Sequence, residues 1–213
     1  MPSNILAAAR PLRLDAKRCV DLAMLSVLLP FLLPLGLAVA ALVAFQGGPV
    51  LHSQWRVGRR GRMFRLWKFR TMRRGAEAAL PALLAADHER AHVWRRYGKL
   101  RDDPRVTSLG RVLRRYSLDE LPQFWNVLTG EMSLVGPRPV PLAELHHGYG
   151  TAAQAYLSCR PGLSGLWQVS GRNRLDYAQR VALDCHYARH RSLTLDVSIM
   201  LRTIGAVLRG TGC

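Results

Sequence analysis

The chain has 213 residues, 49% of them hydrophobic, and its 31 Lys and Arg against 14 Asp and Glu give a formal net charge of +17. This length provides for one ordinary domain and an appendage. The four cysteines, Cys19, Cys159, Cys185 and Cys213, show no CxxC spacing, which argues against a structural zinc site and is typical of a reducing compartment.

The first predicted element is an apolar segment over residues 19–45, and no ionisable side chain occurs between Leu22 and Phe45. A charge at mid-bilayer costs about 3 kcal/mol or more, so a charge-free run of this length predicts membrane insertion. Both flanks are basic: Arg10, Arg13, Lys17 and Arg18 precede the segment, and Arg56, Arg59, Arg60, Arg62 and Arg65 follow it. A simple spanning helix would leave one flank poor in Lys and Arg.

Two prolines, Pro30 and Pro34, lie in the middle of this segment, where proline removes a backbone hydrogen bond and kinks a helix. A reentrant hairpin that breaks near Pro30 would keep both basic flanks on the cytoplasmic side. An ordinary kinked transmembrane helix accommodates the prolines equally well, so the residues alone leave both topologies open. A cleaved signal peptide is disfavoured because the run is too long and no small-residue cleavage pattern follows it.

After the apolar segment, predicted strands and helices are separated by turns rich in glycine, proline or aspartate. A turn at Gly47-Gly48-Pro49 precedes short strands within residues 50–72. An alanine-rich helix is predicted over residues 76–97, and Asp102-Asp103-Pro104 interrupts the chain before a short basic helix at 108–115.

A helix is then predicted to begin near Asp119, because Pro122 fits the first turn of a helix. Leu121, Phe124, Trp125 and Leu128 recur at helical spacing and predict its buried face. A short strand at 132–135 and helices at 142–157, 177–189 and 196–209 follow, with a glycine-rich loop at 160–173 between the first two of these helices. The last helix has an apolar stripe that we expect to face the core rather than the membrane interface. The predicted fold is a mostly helical α/β or α+β domain with a short sheet, on an N-terminal membrane anchor.

The adjacent carboxylates Asp119 and Glu120 are conspicuous in so basic a chain. An ionised aspartate can act as a nucleophile toward phosphorus, and Mg²⁺ usually takes one or two carboxylates together with substrate phosphates. The structural alternative is a capping box, with Ser117 as the cap and Glu120 reaching back to it.

Cations near these acids are the candidates for phosphate and nucleotide contacts, because the arginine fork matches phosphate oxygens. The candidates are Lys68, Arg70, Arg114, Arg138 and Arg160. Lys68 and Arg70 alternate outward from Phe69 and are expected to share a face. The alternative for each arginine is an ordinary surface cation of a basic protein.

Taken together, these segments resemble the monotopic bacterial phosphoglycosyl transferases, which start surface-polysaccharide assembly on polyprenyl phosphate. The motifs that carry the resemblance are QWRVG at 54–58, KFRTM at 68–72, the block at 117–139 and RPGLSGLWQVSGRN at 160–173. Lys17-Arg18 before the apolar segment and residues 192–203 extend the similarity over nearly the whole chain. The sequence departs from the usual pattern at His190-Arg191-Ser192.

The resemblance implies a reentrant hairpin at residues 19–46, broken at Pro30, between a basic segment at 1–18 and a cytoplasmic catalytic domain at 47–213. It implies transfer of a hexose 1-phosphate, galactose or glucose, from a UDP-hexose to undecaprenyl phosphate with release of UMP, at the bacterial inner membrane. Asp119 would be the nucleophile, Glu120 the Mg²⁺ ligand, and Arg114 and Arg138 contacts to phosphate and nucleotide. Membrane lipid is a further expected partner, and a homodimer is left open.

Two other classes compete with this interpretation. The strong positive charge is typical of nucleic-acid-binding proteins, but it is dispersed and no nucleic-acid motif accompanies it, so we expect no nucleic-acid partner. A non-catalytic membrane scaffold would tolerate the loss of Asp119.

Overall fold

The computed structural model describes residues 16–97, 100, 102–172 and 175–210. Most of the predicted basic N-terminal segment, Asn173 of the glycine-rich motif and residues 211–213 lie outside the described residues. In chain order the elements are α1 (Ala16–Ala44), β1 (Leu51–Val57), β2 (Met63–Phe69), α2 (Ala76–Ala85), α3 (His88–Tyr97), α4 (Ser108–Arg115), α5 (Gln123–Leu128), β3 (Ser133–Val135), α6 (Leu142–Glu144), α7 (Ala153–Leu157), β4 (Gly162–Ser164), α8 (Leu166–Ser170), α9 (Tyr177–His190) and α10 (Leu193–Leu208). The prediction of a mostly helical domain with little sheet is confirmed.

Helix α1 covers the predicted apolar segment up to Ala44 and is, within the described ranges, the one helix long and apolar enough to cross a membrane. It is continuous through Pro30 and Pro34, so the break that the sequence predicted at Pro30 is not an interruption of the helix. The reentrant course itself stays a prediction.

Both ends of α1 nevertheless pack against the globular domain. Near the N-terminal end, Arg18 donates to the carbonyl oxygens of Val127 (2.5 Å) and Leu128 (2.8 Å), and the Asp21 carboxylate accepts hydrogen bonds from Ser133 Oγ and Leu134 N. Near the other end, Val39 and Val43 join a buried cluster with Phe69 and Leu113. Between these contacts the helix is mostly exposed.

The predicted strands form an antiparallel hairpin in which Leu51 pairs with Phe69 and Val57 with Met63. Phe64 and Leu66 are buried, as alternation along a half-buried strand requires, whereas Phe69 lies on the opposite face and is buried in the cluster with Leu113.

The helix predicted over residues 76–97 is divided into α2 and α3. The division lies at Asp87, whose side chain accepts a hydrogen bond from Arg90 N and so caps the second helix.

The short helix α5 corrects two expectations. It begins at Gln123 rather than near Asp119, and a 3₁₀ turn over Leu118–Glu120 takes the place of its predicted first turn. The predicted apolar face is correct only in part: Leu121 and Phe124 pack against core clusters, but Trp125 is 61% exposed while Asn126 is fully buried. The Asn126 amide accepts from Trp67 N and donates to Arg65 O, so the buried side of α5 combines polar Gln123 and Asn126 with Val127 of the core and is held against the hairpin.

Strands β3 and β4 form a small parallel sheet, with Ser133 opposite Gly162 and Val135 opposite Ser164. The sequence predicted β3 but placed residues 160–173 in a loop, whereas the structure has both β4 and α8 there. Gly136, which begins the Gly-Pro-Arg-Pro corner, lies so close to β4 that a Cβ atom there would be 2.4 Å from Arg160 O and 2.8 Å from Gly162 N.

We expect Gly136→Ala to destabilise the protein by about 3 kcal/mol, because backbone atoms rather than a flexible side chain would have to move. The melting temperature of the purified protein should fall by about 6–12 °C. Gly36→Ala is the matched control, since nothing lies within 4 Å of its added Cβ. An unchanged melting temperature for Gly136→Ala would contradict the close approach of the two strands.

In the C-terminal part, the predicted helix at 142–157 is divided into short turns with different hydrogen-bonding patterns, whereas the helix at 177–189 is confirmed as α9. Helix α10 begins at Leu193, earlier than predicted, and Ser192 caps it through Leu195 N. Its apolar stripe does not all face the core: Ile199 is buried, but Leu201 is 65% exposed and Leu208 77% exposed.

Candidate active site

The acidic pair lies on the 3₁₀ turn that follows α4. Ser117 adopts a left-handed backbone conformation (φ 56°) and its side chain makes no capping hydrogen bond, so the capping-box alternative is wrong. The Asp119 side chain is buried, and the Glu120 side chain is 31% exposed. The turn thus directs one buried and one accessible carboxylate to the same place.

Lys68 on β2 holds both carboxylates. Its Nζ atom lies 2.6 Å from Glu120 Oε1 and 3.7 Å from Asp119 Oδ2. A residue 52 positions away from Glu120 in the sequence therefore supplies a positive charge in contact with both carboxylates.

Arg114 and Arg138 complete the cationic surroundings. Arg114 donates from Nε to Thr71 Oγ1 (2.9 Å), which holds the guanidinium near Asp119. The charge of Arg138 acts on Glu120 from the Gly-Pro-Arg-Pro corner. Three of the predicted cations are thus gathered around the acidic pair.

The two carboxylates have opposite shifts in acidity. Burial raises the pKa of Asp119 to about 6; the charge of Glu120 adds to this effect, while Lys68 and Arg114 oppose it. Burial also acts to raise the pKa of Glu120, but the charge and hydrogen bond of Lys68, together with Arg138, bring it below its ordinary value. Glu120 is therefore ionised at neutral pH, and Asp119 beside it has a pKa of about 6.

Two predicted contacts lie elsewhere. Arg70 reaches the C-terminal end of α1, where Nη2 is 3.4 Å from Val43 O. Arg160 is buried, donates to Gly130 O and lines a separate cavity with Lys17 and Arg59. Their roles toward phosphate stay predictions, and within the described residues the ion pairs of Asp119 and Glu120 involve Lys68 rather than Arg70 or Arg160.

The structure adds residues that sequence reasoning did not assign. Arg56 lies near Arg138, and burial together with the like charge of Arg138 lowers the pKa of its guanidinium. Trp167 is buried between Arg138 and Arg180, whose guanidinium carbons are 5.7 Å and 5.0 Å from its ring centroid. Arg56 lies in the motif at 54–58 and Trp167 in the motif at 160–173. Membership of these motifs was the feature of the sequence from which a role for both residues could have been predicted.

The corner that carries Arg138 has a buried acidic support. Asp184 Oδ2 accepts a hydrogen bond from Tyr149 Oη (2.7 Å), and the backbone N–H of Arg138 acts on the same carboxylate. Burial raises the pKa of Asp184 to about 7, against the effects of Tyr149 and Arg138.

The donor set can hold a divalent cation when a phosphate ligand supplies further oxygens. Asp119 and Glu120 provide two carboxylates, and Mg²⁺ is usually bound by one or two carboxylates with waters and substrate phosphates. No cluster of three or more His, Cys, Asp or Glu ligands occurs in the described part of the chain, so a permanent all-protein metal cage is not present there. The site suits chemistry on a phosphate.

Comparison with known proteins agrees with this chemistry. The family model described as bacterial sugar transferase matches residues 12–210. The exopolysaccharide production protein ExoY of Sinorhizobium fredii is 46% identical over 206 residues, which cover 96% of this chain and 91% of that protein.

Two larger relatives have names that state a reaction. The undecaprenyl-phosphate galactose phosphotransferase of Salmonella typhimurium is 43% identical over 92% of this chain, which covers 41% of that protein. The UDP-glucose:undecaprenyl-phosphate glucose-1-phosphate transferase of Escherichia coli is 34% identical over 88% of this chain, which covers 39% of that protein. The similarity thus extends over nearly all of this chain.

Proposed function

The chain belongs to the bacterial sugar transferase family, and from that premise we propose that it transfers a hexose 1-phosphate from a UDP-hexose to undecaprenyl phosphate. UMP is the second product, and the reaction starts exopolysaccharide or other surface-glycan assembly. The names of the relatives support galactose or glucose as the hexose. The catalytic domain is residues 47–213.

The observation that carries this proposal is the burial of Asp119 beside Lys68, Arg114 and Glu120. A buried carboxylate surrounded by cations is suited to attack a phosphorus atom whose oxygens the cations neutralise.

In the first half of the proposed reaction, an Asp119 Oδ atom attacks the β-phosphorus of the UDP-hexose. The bond from that phosphorus to the bridging oxygen breaks, and UMP leaves with that oxygen. Lys68 and Arg114 stabilise negative charge around the phosphorus, and Arg138 contacts the phosphate of the nucleotide.

In the second half, a phosphate oxygen of undecaprenyl phosphate attacks the same phosphorus. The acyl-phosphate bond to Asp119 breaks, which regenerates the carboxylate and releases undecaprenyl-diphospho-hexose. Glu120, with Asp119, would hold Mg²⁺, which supplies charge neutralisation for the diphosphate when bound.

The direct test is UMP release by the purified protein with undecaprenyl phosphate and Mg²⁺, across UDP-galactose, UDP-glucose and their N-acetylated counterparts. We expect release that depends on the lipid and is fastest with one of the two unmodified hexoses. Absence of release with every donor, from a folded sample, would favour a non-catalytic scaffold.

We expect Lys68→Met to move the acidic limb of the pH profile upward. The positive charge of Lys68 opposes the rise in the pKa of Asp119, so its loss raises that pKa above about 6, by about one unit or more. Because the nucleophile must be ionised, kcat/KM should begin to fall at a higher pH than in the unaltered protein when the pH is lowered. Arg111→Gln, an exposed cation of α4, should leave the limb in place, and an unmoved limb for Lys68→Met would contradict the assignment.

We further propose that α1 is a reentrant hairpin over residues 19–46 that keeps the catalytic domain in the cytoplasm, at the inner membrane. The support is that both ends of α1 contact one domain, through Arg18 and Asp21 at one end and Val39 and Val43 at the other. A straight helix of 29 residues would extend about 44 Å and separate its ends across a bilayer.

Single cysteines at positions 3 and 77, in a chain without the native cysteines, test this topology. In intact spheroplasts, we expect both Ser3→Cys and Glu77→Cys to be protected from a membrane-impermeant maleimide, and both to react after permeabilisation. Labelling of position 3 alone in intact cells would identify α1 as a spanning helix.

A further inference from the structure

A cavity of about 310 Å³ lies at the N-terminal end of α1, apart from the acidic pair. Ala16 and Lys17 of the membrane helix line one side, and Arg59, Arg160 and Arg191 line the rest together with Asp196. The described lining residues therefore carry four cations and one carboxylate. None of them contacts Asp119, Glu120 or Lys68 in the described part of the chain.

The one carboxylate is already engaged. Asp196 Oδ2 accepts from Lys17 Nζ at 2.5 Å, and Asp196 Oδ1 accepts from Tyr187 Oη at 2.7 Å. These contacts fix the end of α1 against α10 and leave the arginines as the predominant charge of the cavity. An arginine-rich wall is suited to a phosphate, whose oxygens the guanidinium fork matches.

The cavity continues into an apolar surface. Leu193 lines the cavity and is also the first exposed apolar residue of α10. The exposed residues at helical spacing along that helix are Leu193, Val197, Leu201, Ile204 and Leu208. A cationic pocket that opens onto an apolar helix face, beside a membrane helix, has the chemistry of a phospholipid at the interface.

We propose that this cavity binds the phosphodiester headgroup of an anionic glycerophospholipid, such as phosphatidylglycerol, and that the exposed stripe of α10 contacts its acyl chains. Continuity of the cationic pocket with the apolar stripe favours a lipid over free phosphate. A symmetric contact between two copies of this face would bring like charges together, which disfavours a second protein copy. The proposal rests on the membrane attachment of α1 and not on the transfer reaction.

The test is lipid binding by the full-length protein, purified in mild detergent and titrated with phosphatidylglycerol or phosphatidylcholine of matched acyl chains. Native mass spectrometry gives the number of bound lipids and the oligomeric state together. We expect one phosphatidylglycerol per chain, held at least about tenfold more tightly than phosphatidylcholine, since cations near a membrane surface each favour anionic lipid.

The variant R59Q/R191Q should lose that preference, whereas R62Q/R189Q, which removes two exposed arginines outside the cavity, should keep it. The single variant R191Q alters an exposed side chain and should give a smaller loss, which guards against misfolding of the double variant. Equal losses in the two double variants, or no preference in the unaltered protein, would overturn the proposal.

Competition separates the remaining sources of phosphate. Displacement of phosphatidylglycerol by millimolar inorganic phosphate would mean a site for free anions, and displacement by stoichiometric undecaprenyl phosphate would mean an acceptor site. A lipid-free dimer that L201S/L208S dissociates would mean a second protein copy. Each of these three results overturns the lipid assignment, and failure of UMP release leaves it unaffected because lipid binding is read separately.

Discussion

Replacing Asp119 with asparagine is expected to reduce UMP release by about 10⁴-fold or more, because removal of a nucleophile eliminates the covalent route. The amide has nearly the shape of the carboxylate but cannot attack phosphorus as an anion. The acidic pair would otherwise be unchanged, since Lys68 still has Glu120 at 2.6 Å.

The same substitution should not unfold the protein. Burial raises the pKa of Asp119 from 3.8 to about 6. The group therefore contributes to the free energy of unfolding at low pH, where it is protonated, and this contribution is lost as the pH rises from 3.8 through about 6. At pH 8 the ionised group is unfavourable by at most about 3 kcal/mol, and asparagine avoids that effect. The melting temperature of Asp119→Asn at pH 8 should therefore equal or exceed that of the unaltered protein.

Covalent labelling distinguishes a nucleophile from a residue that only positions substrate. With UDP-hexose labelled at the β-phosphate and no acceptor, label should attach to the unaltered protein and to Asp102→Asn, which changes an exposed carboxylate. Asp119→Asn should remain unlabelled. Labelling of Asp119→Asn, or turnover near that of the unaltered protein, would refute the assignment.

The acidic pair could be found from the sequence because adjacent carboxylates occur only at 102–103 and 119–120 in this basic chain, and the second pair lies in the motif block at 117–139. The cations around it were found only as a wider set of candidates, and which of them reach the pair could not be predicted. Lys68 lies 52 residues away and reaches Glu120 only because β2 packs beside the 3₁₀ turn. Arg160 shows the converse, since its position beside proline and glycine resembled that of Arg138 although it faces a different cavity.

Helical periodicity failed where polar contacts decide burial. It predicted Trp125 and Leu128 inside, but α5 has six residues and is fixed by the hydrogen bonds of Asn126 to the hairpin. In α10 the buried side includes Asp196 and Ile199, because Tyr187 and Lys17 satisfy the carboxylate. An apolar stripe therefore indicated the helix correctly without indicating which side faced the core.

The parallel pair β3–β4 had almost no local signal. Strand β4 has three residues within a glycine-rich segment, too few for alternation to be recognised. What the sequence did contain was glycine at 136 and 162, where the two backbones approach too closely for any Cβ. This contact sets the start of the Gly-Pro-Arg-Pro corner and hence the position of Arg138 relative to Glu120.

Glu120→Gln is expected to lower the apparent affinity for Mg²⁺ by about 10–100-fold, as loss of a ligand or its close support does in metal sites. Burial acts to raise the pKa of Glu120, yet Lys68 and Arg138 bring it below its ordinary value, so the group is anionic at neutral pH and is the more exposed of the two acids. Glutamine keeps the length of the side chain and removes the charge that a hard cation prefers.

Two readouts separate metal binding from the anchoring of Lys68. If Glu120 holds Mg²⁺, the Mg²⁺ concentration needed for half-maximal UMP release should rise in Glu120→Gln. The increase in melting temperature that Mg²⁺ produces, measured without substrates, should become smaller as well. Glu77→Gln, which alters an exposed carboxylate on α2, should change neither quantity. If Glu120 only fixes Lys68, activity should fall at every Mg²⁺ concentration while the stabilisation by Mg²⁺ stays the same, because the metal would then depend on Asp119 and the substrate phosphates alone.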